Sequence, residues 1–447
     1  MRSTLMAFML LLSTSAMALD PFSVYQMQVP KGCLTDEKLD LSKRTDLPTL
    51  IQVAICNNPA LSRDYMSVKA SEAELGATKG AYLPTITASG KASKSTTKYQ
   101  GEEKRETTSP YSGNVGISWL LYDFGKRGAT TDQMLSYLTS DSFTYSASLH
   151  DLLLSVNQAY FDLLSNQEVL KSAKESMKSY KKSYEETSKR YQLGMISLSD
   201  KLLAQTTYEK SELAVLEAEN AIAKSGAVLA SLLNLPTDTH FNLELPPRDK
   251  DITLLNTDMT VQQMMDKALE MRPELKSAQS QQDAARFGID IAKAGHYPTI
   301  SATAEADYNN VWSGTKSYRT TAAGGIGLSV PLFNGFSTSY GVDKARYQYE
   351  KSVATVAEKI DLVKKEVYNA YQDYKTAVSS YRVNQKVLES AKESERVAFK
   401  SYQAGKESIL NLLTAQAQLA TARQSLAVSF YTVLTSKATL YRAIGQF

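Results

Sequence analysis

The sequence predicts an α+β membrane protein: four strands per chain join a shared β-barrel that continues into a long α-helical coiled-coil barrel, all built from two internal repeats. Three observations predict it. The chain repeats itself at an offset of 211 to 214 residues. Apolar residues recur every seven positions through one long segment of each repeat. Short segments of each repeat alternate apolar and polar residues over about ten positions, the length and period of a membrane-barrel strand.

Composition narrows the class. At 447 residues, 43% hydrophobic and 22% charged, the chain can bury a core, and about three domains would be the ordinary expectation. Lys+Arg 50 against Asp+Glu 47 leaves +3, with no positive excess for a nucleic-acid partner. No run of 18 apolar residues follows the first twenty, and mean hydropathy is −0.30, which excludes a helical membrane protein. A β-barrel stays open, because its lipid-facing residues alternate with polar ones.

The elements follow in order. Arg2, the apolar run Leu5–Leu12 and Ala16-Met17-Ala18 form a secretory leader, 1–18, cleaved after Ala18. No cysteine follows that point closely, so no lipid attachment is expected there. Residues 19–48 form an N-terminal periplasmic segment. Cys33 and Cys56 are the only cysteines, and an even count in an oxidising compartment suggests a Cys33–Cys56 disulfide. His150, His240 and His296 are far apart, so neither metal nor cofactor is expected.

Repeat 1 spans 49–236 and repeat 2 spans 260–447, joined by a Pro-rich linker, 237–259. Asn58-Pro59-Ala60-Leu61 is echoed by Arg272-Pro273-Glu274-Leu275, and Leu83-Pro84-Thr85-Ile86 by Tyr297-Pro298-Thr299-Ile300. Each repeat reads as a helix, two strands and a long helical hairpin, with Pro84 and Pro298 where helix gives way to strand. In the first strand Ile86, Ala88, Gly90 and Ala92 oppose Thr85, Thr87, Ser89 and Lys91. In the second, Tyr111, Val115, Ile117, Trp119 and Leu121 share a face. Repeat 2 has Ile300, Ala302, Ala304, Ala306 and Tyr308, then Thr320, Ala322, Gly324, Ile326, Leu328 and Val330. Tyr82, Trp119, Tyr122, Phe124, Tyr297, Phe333 and Phe336 cluster where strands meet helices, as an interfacial girdle would. The polar stretches Lys94–Ser109 and Trp312–Lys316 read as outward loops. Four strands cannot close a barrel, and open edges are not tolerated in lipid, so the barrel is shared; three chains would supply twelve strands.

A helix from about 131 to 193 carries the seam Val156, Leu163, Leu170, Met177, Tyr184 and Tyr191, and repeat 2 carries Val367, Tyr374, Tyr381, Leu388 and Tyr402. Alanines at the alternate seam positions let helices approach closely, and Glu395 interrupts the second seam. At Gly194 and Gly405 the chain turns back. Glycine permits the left-handed turn, and the hydroxyls of Ser197 and Ser408 can cap the returning helices.

This layout, with Tyr191-Gln192-Leu193-Gly194-x-x-Ser197-x-x-Asp200 and its copy Tyr402-Gln403-Ala404-Gly405-x-x-Ser408-x-x-Asn411, each followed by Ala-Gln, resembles the TolC family of outer membrane channel proteins. The likeness covers nearly all of the mature chain. It implies a homotrimer with a twelve-stranded barrel in the outer membrane and a helical tunnel through the periplasm. Such a channel is passive and docks on a periplasmic adaptor and an inner membrane pump, either an ABC exporter or a proton-driven one. By resemblance the adaptor contact falls on Leu193, Gly194 and Ser197 and on Ala404, Gly405 and Ser408. Members often place acidic residues one and two turns after the second tip. Here those positions are Asn411 and Thr414, leaving Asp200 and Glu407 as sources of negative charge at the aperture.

An enzyme is not expected: the chain has no Walker-type loop, no H-E-x-x-H, no G-x-S-x-G and no G-x-G-x-x-G. An exported coiled-coil stalk or adhesin would share the leader and heptads but would not need four amphipathic strands. Between channel readings, Cys56-Asn57-Asn58-Pro59 is similar to members that secrete proteins, which favours type I protein secretion over multidrug or small-molecule efflux.

Overall fold

The computed structural model describes residues 44–98, 105–246, 259–313 and 315–446. The leader, Cys33 and linker residues 247–258 lie outside the described residues. In chain order the elements are α1 (Leu47–Asn57), α2 (Pro59–Gly80), β1 (Thr85–Ala92), β2 (Ser95–Lys98), β3 (Arg105–Thr108), β4 (Tyr111–Tyr122), α3 (Lys126–Gln192), α4 (Leu198–Leu232), α5 (Val261–Met271), α6 (Pro273–Ala294), β5 (Thr299–Ser313), β6 (Thr315–Ser329), α7 (Ser337–Gln403) and α8 (Ile409–Ile444). Contacts divide them into two compact units.

The first unit comprises 66–142 and 276–357 of the described residues. Its four-stranded antiparallel sheet has the order β1-β4-β5-β6, so repeat 1 meets repeat 2 at the β4–β5 ladder and β1 and β6 are left as edges. Register puts the apolar residues of all four strands on one face: Ile86 lies opposite Ile117, Ile117 opposite Ala304, and Ala302 opposite Ile326. That face is uncovered, with Ile86 70% and Ile326 75% exposed. On the other face Asn114 Nδ2 donates to Asp307 Oδ1 at 2.7 Å. The ladder shifts between Leu120 and Tyr122, so that Tyr122 pairs with Ile300 and joins the apolar face.

Two differences from the sequence reading concern loops. The stretch 94–109 carries β2 and β3, paired with Thr96 opposite Thr107, and the β5–β6 ladder runs on to Ser313 opposite Thr315. Threonine-rich polar segments suit a strand wetted on both faces as well as they suit a loop.

At the β4–α3 junction Phe124 (φ 52) and Gly125 (φ 90) take left-handed backbone, and α3 starts at Lys126, five residues earlier than the heptads suggest. Asp123 accepts from the Arg127 backbone N–H at 2.9 Å and from Arg127 Nε at 3.0 Å. The same guanidinium donates to the Leu120 carbonyl at 2.6 Å and the Leu121 carbonyl at 3.1 Å, and lies 4.7 Å from the centre of the Tyr82 ring. Repeat 2 replaces this ion pair with Asn334 donating to Thr338.

The second unit comprises 44–65, 143–275 and 358–446, excluding 247–258. Most of the two 67-residue helices α3 and α7 lies here. Seam residues Val156, Leu163, Val367 and Tyr374 are buried, as are Ala159, Ala370, Ala377 and Ala391. Glu395 accepts from Gln416 Nε2 at 3.5 Å, and Gln416 also donates to the buried Ser183 hydroxyl at 2.9 Å. The break in the heptad is thus a polar layer with its groups paired. Residues 242–244 of the linker are anchored on the helices: Leu243 is buried, the Thr45 backbone N–H donates to the Asn242 carbonyl at 2.9 Å, and the Tyr160 hydroxyl donates to the Glu244 carbonyl at 2.5 Å. Burial first of all pushes the Tyr160 phenol up to about 12, keeping it a neutral donor.

Candidate functional site

Both hairpin tips lie in the second unit and are built alike. At the first, Gly194 has φ 71; its N–H donates to the Tyr191 carbonyl at 2.9 Å, and the Met195 N–H donates to the Arg190 carbonyl at 2.9 Å. This is a Schellman turn, which satisfies the last carbonyls of α3 and needs the left-handed residue that glycine supplies. At the second, Gly405 also has φ 71, with Gly405 N–H to the Tyr402 carbonyl at 3.0 Å and Lys406 N–H to the Ser401 carbonyl at 2.9 Å. Ser197 then caps α4, accepting from the Asp200 N–H at 3.1 Å, and Ser408 caps α8, accepting from the Asn411 N–H at 3.3 Å. Leu193, Gly194, Ser197, Ala404, Gly405 and Ser408 are all exposed.

The tips differ in chemistry. Around the first, Leu193 is 74% and Met195 66% exposed, with Leu198 and Leu202 exposed beside them. Around the second, Lys406 and Glu407 are exposed together with one large apolar side chain, Leu410, while Ile409 and Leu412 turn inward. Sequence reasoning passed over Met195, Leu198 and Leu202; the signal was present as an apolar run interrupted only by Gly194, Ser197, Ser199, Asp200 and Lys201.

Of the aperture candidates, Asp200 is half-buried, while Glu407, Asn411 and Thr414 are exposed. Asn411 Nδ2 donates to the Glu407 carboxylate, and the Thr414 hydroxyl donates to the Leu410 carbonyl at 2.8 Å. One side chain joins the tips. Arg190 Nη1 donates to the Tyr402 carbonyl at 3.1 Å and Nη2 to the Gln403 carbonyl at 2.9 Å, with the guanidinium 4.7 Å from the Tyr402 ring centre. The Tyr402 hydroxyl meets the buried Thr187 hydroxyl at 3.1 Å.

A second charged cluster ties α3, α6, α7 and α8 together. Arg442 pairs with Asp151 at 2.6 Å, with Glu274, and with Glu366 at 3.6 Å. Arg272, only 4% exposed, grips Glu274 at 3.1 Å and Glu366. Burial works to raise the Glu274 carboxyl, but the hydrogen bonds and charges of Arg272, with Arg442, outweigh it and hold it below the usual carboxylate range. His150 is pushed down, chiefly by burial. The matching position in repeat 1, Asn58, is neutral: its side chain accepts from the Ala60 and Leu61 N–H groups and donates to the Leu232 carbonyl at 3.1 Å. Among the described residues no group of three or more His, Cys, Asp or Glu is placed to hold a metal ion. Cys56 is disulfide-bonded, and Cys33 lies outside the described residues.

Comparison with known proteins agrees with this architecture. The family model for outer membrane efflux protein matches residues 50–235 and 264–446, one match per repeat. Protein CyaE of Bordetella pertussis is 27% identical over 400 residues, covering 89% of this chain and 83% of its own. The probable efflux pump outer membrane protein TtgC of Pseudomonas putida is 27% identical over 410 residues, covering 89% and 82%. The alkaline protease secretion protein AprF of Pseudomonas aeruginosa is 25% identical over 348 residues, covering 77% and 71%. The solved outer-membrane channel OprN superposes with a TM-score of 0.76 at 18% identity over 90% of each chain, a likeness of fold. With both repeats matched along nearly their whole length and TolC itself among the relatives, the chain belongs to the outer membrane efflux protein family, the family of TolC, and is an outer membrane protein with a helical part in the periplasm.

Proposed function

We propose that this chain is the outer membrane exit duct of a tripartite export system. Three copies close a twelve-stranded barrel in the outer membrane, and their long helices continue it through the periplasm as a passive conduit. The tips dock on a periplasmic adaptor protein, which is fed by an inner membrane ABC exporter or proton-driven pump. The observation that carries this reading is the four-stranded sheet with one uncovered apolar face and two open edges. In lipid such a sheet needs neighbours on both edges, and family members act within tripartite systems. Leu193, Gly194, Ser197, Ala404, Gly405 and Ser408 make the adaptor contact, with Asp200, Glu407, Asn411 and Thr414 around the aperture. A Cys33–Cys56 disulfide tethers the N-terminal segment to α1.

Type I protein secretion is the first reading, supported by the likeness to the alkaline protease secretion protein AprF. Small-molecule efflux is the second, supported by the likeness to TtgC. A deletion strain separates them: loss of a protein from the culture medium supports secretion, and raised susceptibility to small toxic compounds with an unchanged medium supports efflux. For docking, Leu193→Cys and Ala404→Cys should cross-link to an adaptor in cells. Failure of both to give any heteromeric product, with the protein present in the outer membrane, would refute the docking role.

A further inference from the structure

Strand register sorts the exposed aromatic residues of the sheet into two rows. Trp119 of β4 lies opposite Ala302, and eight residues along the same strand Tyr111 lies opposite Asn310. Asn310 pairs in turn with Tyr318, and the Tyr111 and Tyr308 rings stand 6.1 Å apart. Tyr111, Tyr308 and Tyr318, all exposed on the apolar face, therefore form a second row far from the helices, which sequence reading did not separate from the first. At about 3.4 Å per residue the rows are about 27 Å apart along the strand from Trp119, or about 37 Å from Tyr122. With a barrel tilt of about 40° this becomes about 20 to 28 Å of depth, bracketing the height of about 25 Å for the apolar band of a membrane barrel.

The row on the helical side has a rim of basic residues. The Phe124 and Tyr297 rings stack at 5.8 Å, and the Tyr122 ring meets Phe124 edge-on at 4.7 Å. Just beyond them in the chain, Lys126 opens α3, and Lys293 and His296 close α6; all three are exposed. No carboxylate among the described residues pairs with Lys126, and Lys293 has only an exposed partner, Asp290, at 3.4 Å. Lysine is disfavoured in the first turn of a helix by the helix dipole, so helix stability does not account for Lys126.

We propose that this rim is a binding surface for the anionic headgroups of the phospholipid leaflet on the helical side. The aromatic rings lie at the boundary between acyl chains and headgroups, and Lys126 and Lys293 reach the headgroup phosphates. The surface is continuous with the uncovered apolar face that an outer membrane protein turns to acyl chains. Aromatic rings at the apolar boundary with lysines one step beyond match the layering of a lipid leaflet. The inference rests on the outer membrane location and is independent of which pump the channel serves.

The test uses the full-length protein reconstituted in phosphatidylcholine vesicles with about 30 mol% phosphatidylglycerol, which makes the surface anionic. The chain has two tryptophans, so Trp312→Phe leaves Trp119 as the sole emitter. Its fluorescence should be quenched more by lipids brominated near the carbonyl than by lipids brominated near the chain end. Spin-labelled phosphatidylglycerol should be preferred at the protein surface over labelled phosphatidylcholine by about fivefold, the effect of one lysine at an anionic surface. Lys126→Glu with Lys293→Glu should bring that ratio to parity while the Trp119 depth stays unchanged, and Lys126→Arg with Lys293→Arg should retain it. Should the glutamate pair fail to insert, judged by heat-modifiable migration, Lys126→Gln with Lys293→Gln replaces it. An unchanged lipid preference in the inserted variant, or deeper quenching of Trp119 by chain-end bromines, would overturn the proposal.

Discussion

Arg190 of the first hairpin donates to the Tyr402 carbonyl of the second at 3.1 Å while its guanidinium lies 4.7 Å from the Tyr402 ring centre. The two tips are thus coupled through one side chain that also closes the last carbonyls of α7. Removing it leaves the Gln403 carbonyl without this donor and the Tyr402 carbonyl with the Gly405 N–H alone. Hydrogen bonds from a charged group are worth roughly 1.5 to 3 kcal/mol, so Arg190→Ala should speed amide exchange at 402–406 by about tenfold or more. Arg190→Lys keeps the charge but loses the fork and should recover only part of the protection. Unaltered exchange in both variants would show that the tips are held by packing alone.

The tip glycines test turn geometry apart from steric bulk. At both Gly194 and Gly405 an added Cβ would meet nothing within 4 Å, so substitution costs backbone strain alone, about 1–2 kcal/mol for a residue forced left-handed. Gly194→Trp or Gly405→Trp should leave the protein assembled in the outer membrane but abolish export. Asparagine, which tolerates this conformation, should retain more export than valine at either site. Equal export by all variants, measured in cells, would remove the tips from the docking surface.

Acid should weaken the second unit in two windows. His150 titrates lower in the fold than in the unfolded chain, so the unfolded state takes up its proton first and stability falls as pH drops below about 6.5. Glu274 is also depressed; its contribution is present above the unfolded value of about 4.3 and is lost as pH falls from there through the lower folded value. A Tm-against-pH profile should show both steps, and His150→Asn should erase only the upper one. A profile flat from pH 7 to pH 5 in the unsubstituted protein would contradict the lowered titration of the half-buried imidazole.

Opposite faces of the sheet should respond oppositely to charge. Val115 lies on the uncovered apolar face between the two aromatic rows, where arginine costs roughly 2–4 kcal/mol in a membrane barrel. Val115→Arg should therefore reduce the amount of heat-modifiable protein in the outer membrane. Thr321 lies on the other face, paired with Asp307, and Thr321→Arg should be tolerated. Equal loss in both would mean that the apolar face does not meet lipid.

Everything with a short period was legible in the sequence. The heptads place Val156, Leu163, Val367 and Tyr374, all of them buried. The alternation places Ile86, Ile117, Ala304 and Ile326 on one face of the sheet. Gly194, Gly405, Ser197 and Ser408 announce two turns and two caps because those backbone geometries depend on single residues. Only the tertiary structure decided what depends on residues distant in the chain: the β4–β5 ladder joining the repeats, and the register shift that brings Tyr122 onto the apolar face. It also decided the rise of Arg190 over Tyr402 and the gathering of Asp151, Arg272, Glu274, Glu366 and Arg442. Those arrangements arise from side chains dozens to hundreds of positions apart, whose pairing leaves no periodic trace; they appear only when ladders and packed helices bring the positions together.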